Sequence, residues 1–316
     1  MYKFVKKLLL CACLASAALM SGCAEVEEEV PVTTVETTVT ERPYPVTAGS
    51  LIFKEQPDSV GSLSPAITEM ICQLGYGDKI IGRSSYCDYP EDVESKVSLG
   101  SAANPDVEAI IAAKPRLLVS HSPIAKKDIT QIENAGTRVW IISAPESVEE
   151  LYACYRDIAT VFGGSLDCDD TAAAALKPLF SALFEAQDSV ESFVYIMSPD
   201  LAAASNSTFA GSFFSSFGTN AAGDREDISL TEEELTELDP QWIILPYNVS
   251  EENLPSGLSA VENGRIITLD EEMLERIERP TSRLDKVVYD ILEQINGSDT
   301  SGEDDSGENS DEGAEE

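Results

Sequence analysis

The stretch that most constrains this chain is Gly61 to Pro90, GSLSPAITEMICQLGYGDKIIGRSSYCDYP, preceded by the apolar run Leu51-Ile52-Phe53. Ser64 stands where a helix N-cap belongs. Pro65 follows at the first helical position, where the N–H it lacks would have had no partner. Ile67, Met70, Ile71 and Leu74 recur at helical spacing, so one face of this helix is apolar. Gly75 can take the left-handed conformation that closes it. Lys79-Ile80-Ile81-Gly82 then reads as a short buried strand, and Ser84 to Pro90 as a polar loop carrying Tyr86 and Tyr89. Strand, capped helix, strand and decorated loop make a parallel α/β unit. Open sheets of this kind bind ligands beyond the carboxyl ends of their strands.

The alternation continues. Asn104 is expected to cap a second helix, with Pro105 at its first position, Glu108 in its first turn, and Val107, Ile110 and Ile111 facing inward. Arg116 to Ser120 is the next strand and delivers His121, the chain's one histidine. A helix over Lys126 to Ala135 and a strand over Arg138 to Ile142 follow, and such alternation with short connections predicts a parallel sheet. Ser147 starts a helix to Phe162. After Gly163-Gly164 a longer helical stretch runs from Asp169 to Val190, where Pro178 is a place for a kink or a break. A further strand, Phe193 to Met197, follows, then a small polar segment, Ala202 to Gly211, and Phe213, Phe214 and Phe217. Thr231 caps a further helix that Asp239-Pro240 stops. Trp242 to Leu245 and Arg265 to Leu269 read as buried strands, and Leu284, Val287, Val288, Ile291 and Leu292 mark a closing helix.

The formal net charge is −36 over 316 residues. Residues 24–48 hold −5 of it and residues 297–316 hold −9, while residues 49–296 still carry −25. Nucleic acid is thereby excluded as a partner, since phosphate binding needs a basic surface. At the N-terminus Lys3, Lys6 and Lys7 precede an apolar stretch, Leu8 to Leu19, that is short for a bilayer span. Leu19-Met20-Ser21-Gly22-Cys23 resembles a bacterial lipobox, with methionine where leucine is usual. Residues 1–22 read as a lipoprotein signal peptide and Cys23 as the lipidated first mature residue; an ordinary signal peptide cut nearby is the alternative. Residues 23–48 read as a disordered acidic tether, with an edge strand over Val39 to Val46 as the other reading, and residues 297–316 as a disordered acidic tail. Cys72, Cys87, Cys154 and Cys168 can pair in three ways or stay free, and their spacings match no zinc site.

SLSPAITE, LGYGDKIIG and SYCDYP, in that order and followed by NPDVEAIIAAKP at 104–115, resemble the substrate-binding lipoproteins of ABC importers for cobalamin and iron chelates, the class III periplasmic-binding type. The chain looks closest to the cobalamin-binding branch, over residues 50–296. The resemblance implies an α/β fold of two Rossmann-like lobes with parallel-rich sheets, N-terminal over 49–166 and C-terminal over 191–296. One long helix, 167–190, would join them, with the ligand cleft between the lobes. It implies a cleft lined by Ser64 and Pro65, Tyr86, His121, Asn206 and Phe209 of the segment NSTFAG, and Arg279, while Arg283 ties its lobe together. Tyr86 would cover the apolar face of a flat macrocycle. A neutral imidazole can ligate cobalt or iron, so His121 is a candidate axial ligand to a metal that the ligand itself carries; the protein would bind no metal of its own. Asparagine, serine and threonine can hydrogen-bond corrin amides. Glu108 and Glu233, one per lobe, would dock onto arginines of the permease. Each has a plainer reading as well: Tyr86 as a packing residue of its turn, His121 as a surface hydrogen-bonding group, 206–211 as a surface loop, and the glutamates as acids favoured in any first helical turn. Ala102 falls where cobalamin binders often carry a tryptophan.

The function so implied is capture of a corrinoid, cobalamin or cobinamide, outside the membrane, and its delivery to an ABC permease and its ATPase, by a monomer without a cofactor. An iron-siderophore or haem is the alternative ligand. A surface sensor or adhesion lipoprotein is the alternative role. An enzyme is not expected. No nucleophile motif matches the single histidine, and the glycines of LGYGDKIIG follow a helix rather than a strand, which fails the context of a phosphate-binding loop.

Overall fold

The computed structural model describes residues 43–225 and 229–300. The signal segment 1–22, Cys23, the tether up to Arg42 and the tail from Ser301 lie outside the described residues. From Pro43 the chain forms a single unit, and it begins earlier than the sequence indicates. Strand β1 (Val46–Ala48) pairs antiparallel with β2 (Leu51–Phe53). Val46 and Ala48 point inward and Thr47 outward, the period of a half-buried strand. The Tyr44 hydroxyl donates to the Val161 carbonyl at 2.8 Å, and the Phe53 and Trp140 rings meet edge to face at 5.8 Å. Residues 43–48 are therefore part of the domain rather than tether, and the observed strand, Val46–Ala48, meets at Val46 the edge strand that the other reading put over Val39 to Val46.

The first sheet has five parallel strands: β3 (Val60–Ser62), β4 (Ile80–Arg83), β5 (Val97–Ser98), β6 (Leu117–Ser120) and β7 (Arg138–Ile141), in the order β5-β4-β3-β6-β7. Helix α1 (Pro65–Gln73) begins as its sequence predicts, with Ser64 accepting from the Ile67 amide, and Gly75 is left-handed at φ +86°. Helix α2 (Val107–Ala113) starts later than expected. Asp106, not Asn104, is its cap and accepts from the Ala109 amide at 2.9 Å. Pro105 is held instead in a bridge to Gly100, and Asn104 closes a turn with Ser101. Helices α3 (Lys126–Asn134) and α4 (Val148–Gly163) complete the lobe.

Helix α5 (Cys168–Glu185) runs unbroken through Pro178. It packs against α4 on one side and the last helix on the other, burying Ala172, Leu176, Leu179 and Ala182, and this two-sided packing holds the helix together where one backbone hydrogen bond is missing. The second sheet contains β8 (Ser192–Tyr195), β9 (Thr219–Asn220), β10 (Trp242–Pro246) and β11 (Ile266–Leu269), parallel in the order β11-β10-β8-β9. Its helices are α6 (Phe209–Phe214), α7 (Glu232–Leu238), α8 (Ser259–Glu262), α9 (Glu271–Glu278) and α10 (Leu284–Thr300). Thr231 and Glu234 form a reciprocal capping box at the start of α7. Helix α10 passes through Gly297 to Thr300, so the first residues assigned to the tail are helical.

One apolar cluster runs from Val60 and Ile67 of the first lobe through α4 and α5 to Phe193, Phe213 and Ile291 of the second. Two smaller clusters cover the outer faces of the sheets. The lobes thus share a core on the helical side, and their strand ends are left to carry loops.

Candidate functional site

In the first sheet the chain proceeds from β3 to β4 and β5 on one side, then returns to place β6 and β7 on the other. In the second it goes from β8 to β9, then returns to place β10 and β11. Each reversal leaves a crevice beyond the carboxyl ends of the two strands involved, the place where open α/β sheets take ligands. In the first lobe these ends carry Ser62-Leu63-Ser64 and Ser120-His121-Ser122, with Ser84-Ser85-Tyr86 beside them after β4. In the second lobe they carry Ile196-Met197 and Tyr247.

A common device turns the chain at the three first-lobe edges. The Ser62 hydroxyl donates to the Ser64 carbonyl at 2.9 Å and accepts from the Ser64 amide at 3.2 Å. Ser120 makes the same pair with Ser122, at 2.8 and 3.1 Å. Ser84 accepts from the Tyr86 amide at 3.3 Å. All three serines are fully buried. A short hydroxyl side chain that satisfies backbone two residues on is what lets a strand end in a tight turn, and it fixes where His121 and Tyr86 emerge. Tyr86 is 65 % exposed. Tyr247, which sequence reading missed, is 54 % exposed and directly follows β10, its amide tied to the Leu269 carbonyl at 2.7 Å. An aromatic directly after a wholly buried strand was the available signal.

His121 is largely buried. Its Nδ1 bonds the Ile142 carbonyl at 3.0 Å, which makes Nδ1 the protonated nitrogen. Burial pushes its pKa below the ordinary histidine value against the opposing backbone bonds to Ile142 and Ser143. The ring is therefore held neutral, the form that ligates metals. Its Nε2, however, is enclosed and without a partner, so contact with a bulky ligand would need the ring to leave Ile142. Ser64 is buried and spends its hydroxyl on the helix cap, while Pro65 stays half-exposed beside it. Asn206 accepts from the Ser215 hydroxyl at 3.0 Å and its amide donates to the Gly223 carbonyl, so it braces α6. Phe209 is half-buried and stacks on Phe213 at 6.3 Å.

The two lobes are also tied by polar contacts at the Tyr86 loop. Arg279 Nη1 lies 3.1 and 3.2 Å from the two Asp88 oxygens and 2.7 Å from Glu275 Oε1. Arg283 Nη1 lies 3.2 Å from Glu69 Oε2, and its guanidinium sits over the Tyr89 ring, 4.0 Å from the centroid. Thr281 donates to the same Glu69 oxygen, and the Ser282 amide donates to the Tyr155 hydroxyl, which in turn donates to Gln73. Glu69 is only 2 % exposed, and burial raises its pKa despite the counteracting Arg283. Arg283 therefore ties one lobe to the other, not only its own. Glu69, Asp88 and Glu275 were not singled out from sequence.

Glu108 is exposed in the first turn of α2 and Glu233 in the first turn of α7. Glu234, not Glu233, is spent on the cap and on Arg225 at 2.7 Å. Among the described residues, Cys72, Cys87, Cys154 and Cys168 are free thiols. Among the described residues there is no cluster of metal-ligating side chains, and no helix is long and apolar enough to cross a membrane.

Comparison with known proteins agrees with this architecture. A Bacillus subtilis (strain 168) protein named as the ABC transporter substrate-binding lipoprotein YvrC is 26 % identical over 309 residues, covering 90 % of this chain and 95 % of that protein. A cobalamin-binding protein of Halobacterium salinarum is 26 % identical over 224 residues, 67 % of this chain and 59 % of that protein. Among solved structures, the periplasmic vitamin B12 binding protein BtuF of Vibrio cholerae superposes with a TM-score of 0.59 at 18 % identity, over 77 % of this chain and 98 % of the other. The periplasmic heme binding protein HutB of the same organism gives a TM-score of 0.59 at 14 % identity, over 73 % and 98 %. The sequence profile of the periplasmic binding protein family matches residues 60–273, and the chain belongs to that family.

Proposed function

We propose that this protein captures a corrinoid on the outer side of the cytoplasmic membrane, anchored through Cys23, and passes it to an ABC permease with its ATPase. The observation that carries the reading is the pair of exposed tyrosines, Tyr86 and Tyr247, each just beyond a strand end at the ligand-binding edge of its lobe. Two aromatic faces suit a broad, flat ligand rimmed by amides, because ring contact buries area while the hydroxyl and nearby turn groups take the polar rim. The cobalamin-binding relative supports the ligand, and the lipoprotein relative supports the location. The role is capture and transfer without chemistry on the ligand. Glu108 and Glu233 are the docking residues for the permease, one on each lobe.

Haem or an iron chelate is the second reading, and His121 would serve as its axial ligand only with the ring released from Ile142. Calorimetric and visible-absorption titrations with dicyanocobinamide, cyanocobalamin, haemin and a ferric siderophore separate the two. Tight binding of the corrinoids is expected. Binding of haemin or the siderophore alone would replace the ligand and keep the transport role.

A further inference from the structure

Arg279 is the arginine that the resemblance puts at the cleft, yet its charge is already spent. Its guanidinium faces Asp88 of the first lobe at 3.1 Å and Glu275, one helical turn back, at 2.7 Å. Two carboxylates on one guanidinium leave the group net negative. Asp88 lies two residues from Tyr86 on the same loop, and the Tyr89 ring between Asp88 and Pro90 is pinned under Arg283. The loop that offers an aromatic face therefore also delivers an anion to the arginine opposite. A ligand lying against Tyr86 with a carboxylate or phosphate at this edge would have to displace Asp88 and would still meet Glu275.

We propose that Asp88 is a specificity residue of the cleft: by occupying Arg279 it disfavours ligands that bring an anionic group to this edge, relative to ligands that bring none. This deepens the reading above and rests on the Ser84–Pro90 loop lining the ligand site. Asp88 is more than half exposed, as is expected of a group that can be displaced.

Wild type and Asp88→Asn are titrated with dicyanocobinamide, which lacks a phosphate, cyanocobalamin, which carries a phosphodiester, and haemin, which carries propionates. In Asp88→Asn the affinity for cyanocobalamin and haemin, relative to dicyanocobinamide, is expected to rise about fivefold, the scale of one partly exposed charge pair. The double variant Asp88→Asn/Arg279→Gln is expected to lose that gain. An unchanged ratio, including failure of the variant to bind either anionic ligand, overturns the proposal. A gain that survives the loss of Arg279 overturns it too. The wild-type affinities alone test the corrinoid reading. A wild type that prefers haemin, with a further gain in Asp88→Asn, would overturn the ligand and leave the role of Asp88 standing.

Discussion

Glu69 and His121 are buried titratable groups on the first lobe, and they make opposite demands on pH. Glu69 has its folded-state pKa raised above the ordinary 4.5 by burial, so between that value and the folded pKa the fold holds a proton that the unfolded chain has released. Its contribution to stability is complete below that ordinary value and declines as pH rises through the folded pKa. His121 has its folded-state pKa lowered from 6.5 by burial, so its contribution is complete above 6.5 and is lost as pH falls through the window beneath it. Thermal melts from pH 4.5 to 8 should show Glu69→Gln gaining on wild type as pH rises, and His121→Gln gaining on wild type as pH falls; parallel curves for either variant would contradict the assignment. Arg283→Met should destabilise by about 3 kcal/mol at pH 7, because the buried Glu69 then loses its ion pair and must either stay charged without it or take up a proton. Denaturant melts check this, and much of the loss should be recovered in Glu69→Gln/Arg283→Met. Of these roles, the sequence indicated only a tie made by Arg283, and put it within its own lobe. Glu69 and Arg283 lie 214 positions apart, and Asp88 and Arg279 lie 191 apart. No local pattern reports contacts at such separations.

Several helices were legible from their caps, although the sequence pointed to Asn104 as the cap of α2 where Asp106 serves, and α6 and α9, short and with few buried positions, were missed. Helices α1, α4 and α7 announced themselves through Ser64, Ser147 and Thr231, each of which caps as its sequence implies. Helix α9 offered only Met273 and Ile277 as buried positions, and α6 is six residues of Phe, Ala, Gly and Ser, so neither carried enough signal. Helix α6 is seated by backbone rather than by side chains: a Cβ on Gly211 would come within 2.0 Å of the Ser205 carbonyl oxygen. Gly211→Ala should therefore cost about 3 kcal/mol, read in chemical melts. By contrast Gly297→Ala meets nothing within 4 Å in α10 and should add up to about 1 kcal/mol. The hairpin of β1 and β2 gives a further check. A chain beginning at residue 49 loses the buried Val46 and Ala48 and the Tyr44 hydrogen bond, and should melt about 5 °C below one beginning at Pro43. Equal melting temperatures would return residues 43–48 to the tether.

At the scale of the molecule, the alternating strands and helices indicated a parallel α/β sheet and the resemblance implied its two lobes, and the strand orders then show where each sheet reverses, the edge at which open α/β sheets take ligands. What the alternation could not give was which side of β3 and β8 each later strand would join. That choice sets the two reversals of strand order and puts Tyr247 beside one of them. Transport makes its own prediction: replacing Glu108 and Glu233 together by arginine should abolish uptake in cells while ligand binding by the purified protein stays intact. Loss of binding would mean that these residues belong to the fold or the cleft instead. The central claim is that aromatic faces from both lobes hold a flat corrinoid. Its most direct test is a visible-absorption titration of dicyanocobinamide against wild type, Tyr86→Ala, Tyr247→Ala and the double variant. The account predicts tight binding by wild type, a loss of about tenfold for each single variant, and a larger loss for the double. Wild-type silence, or full affinity in the double variant, would contradict it.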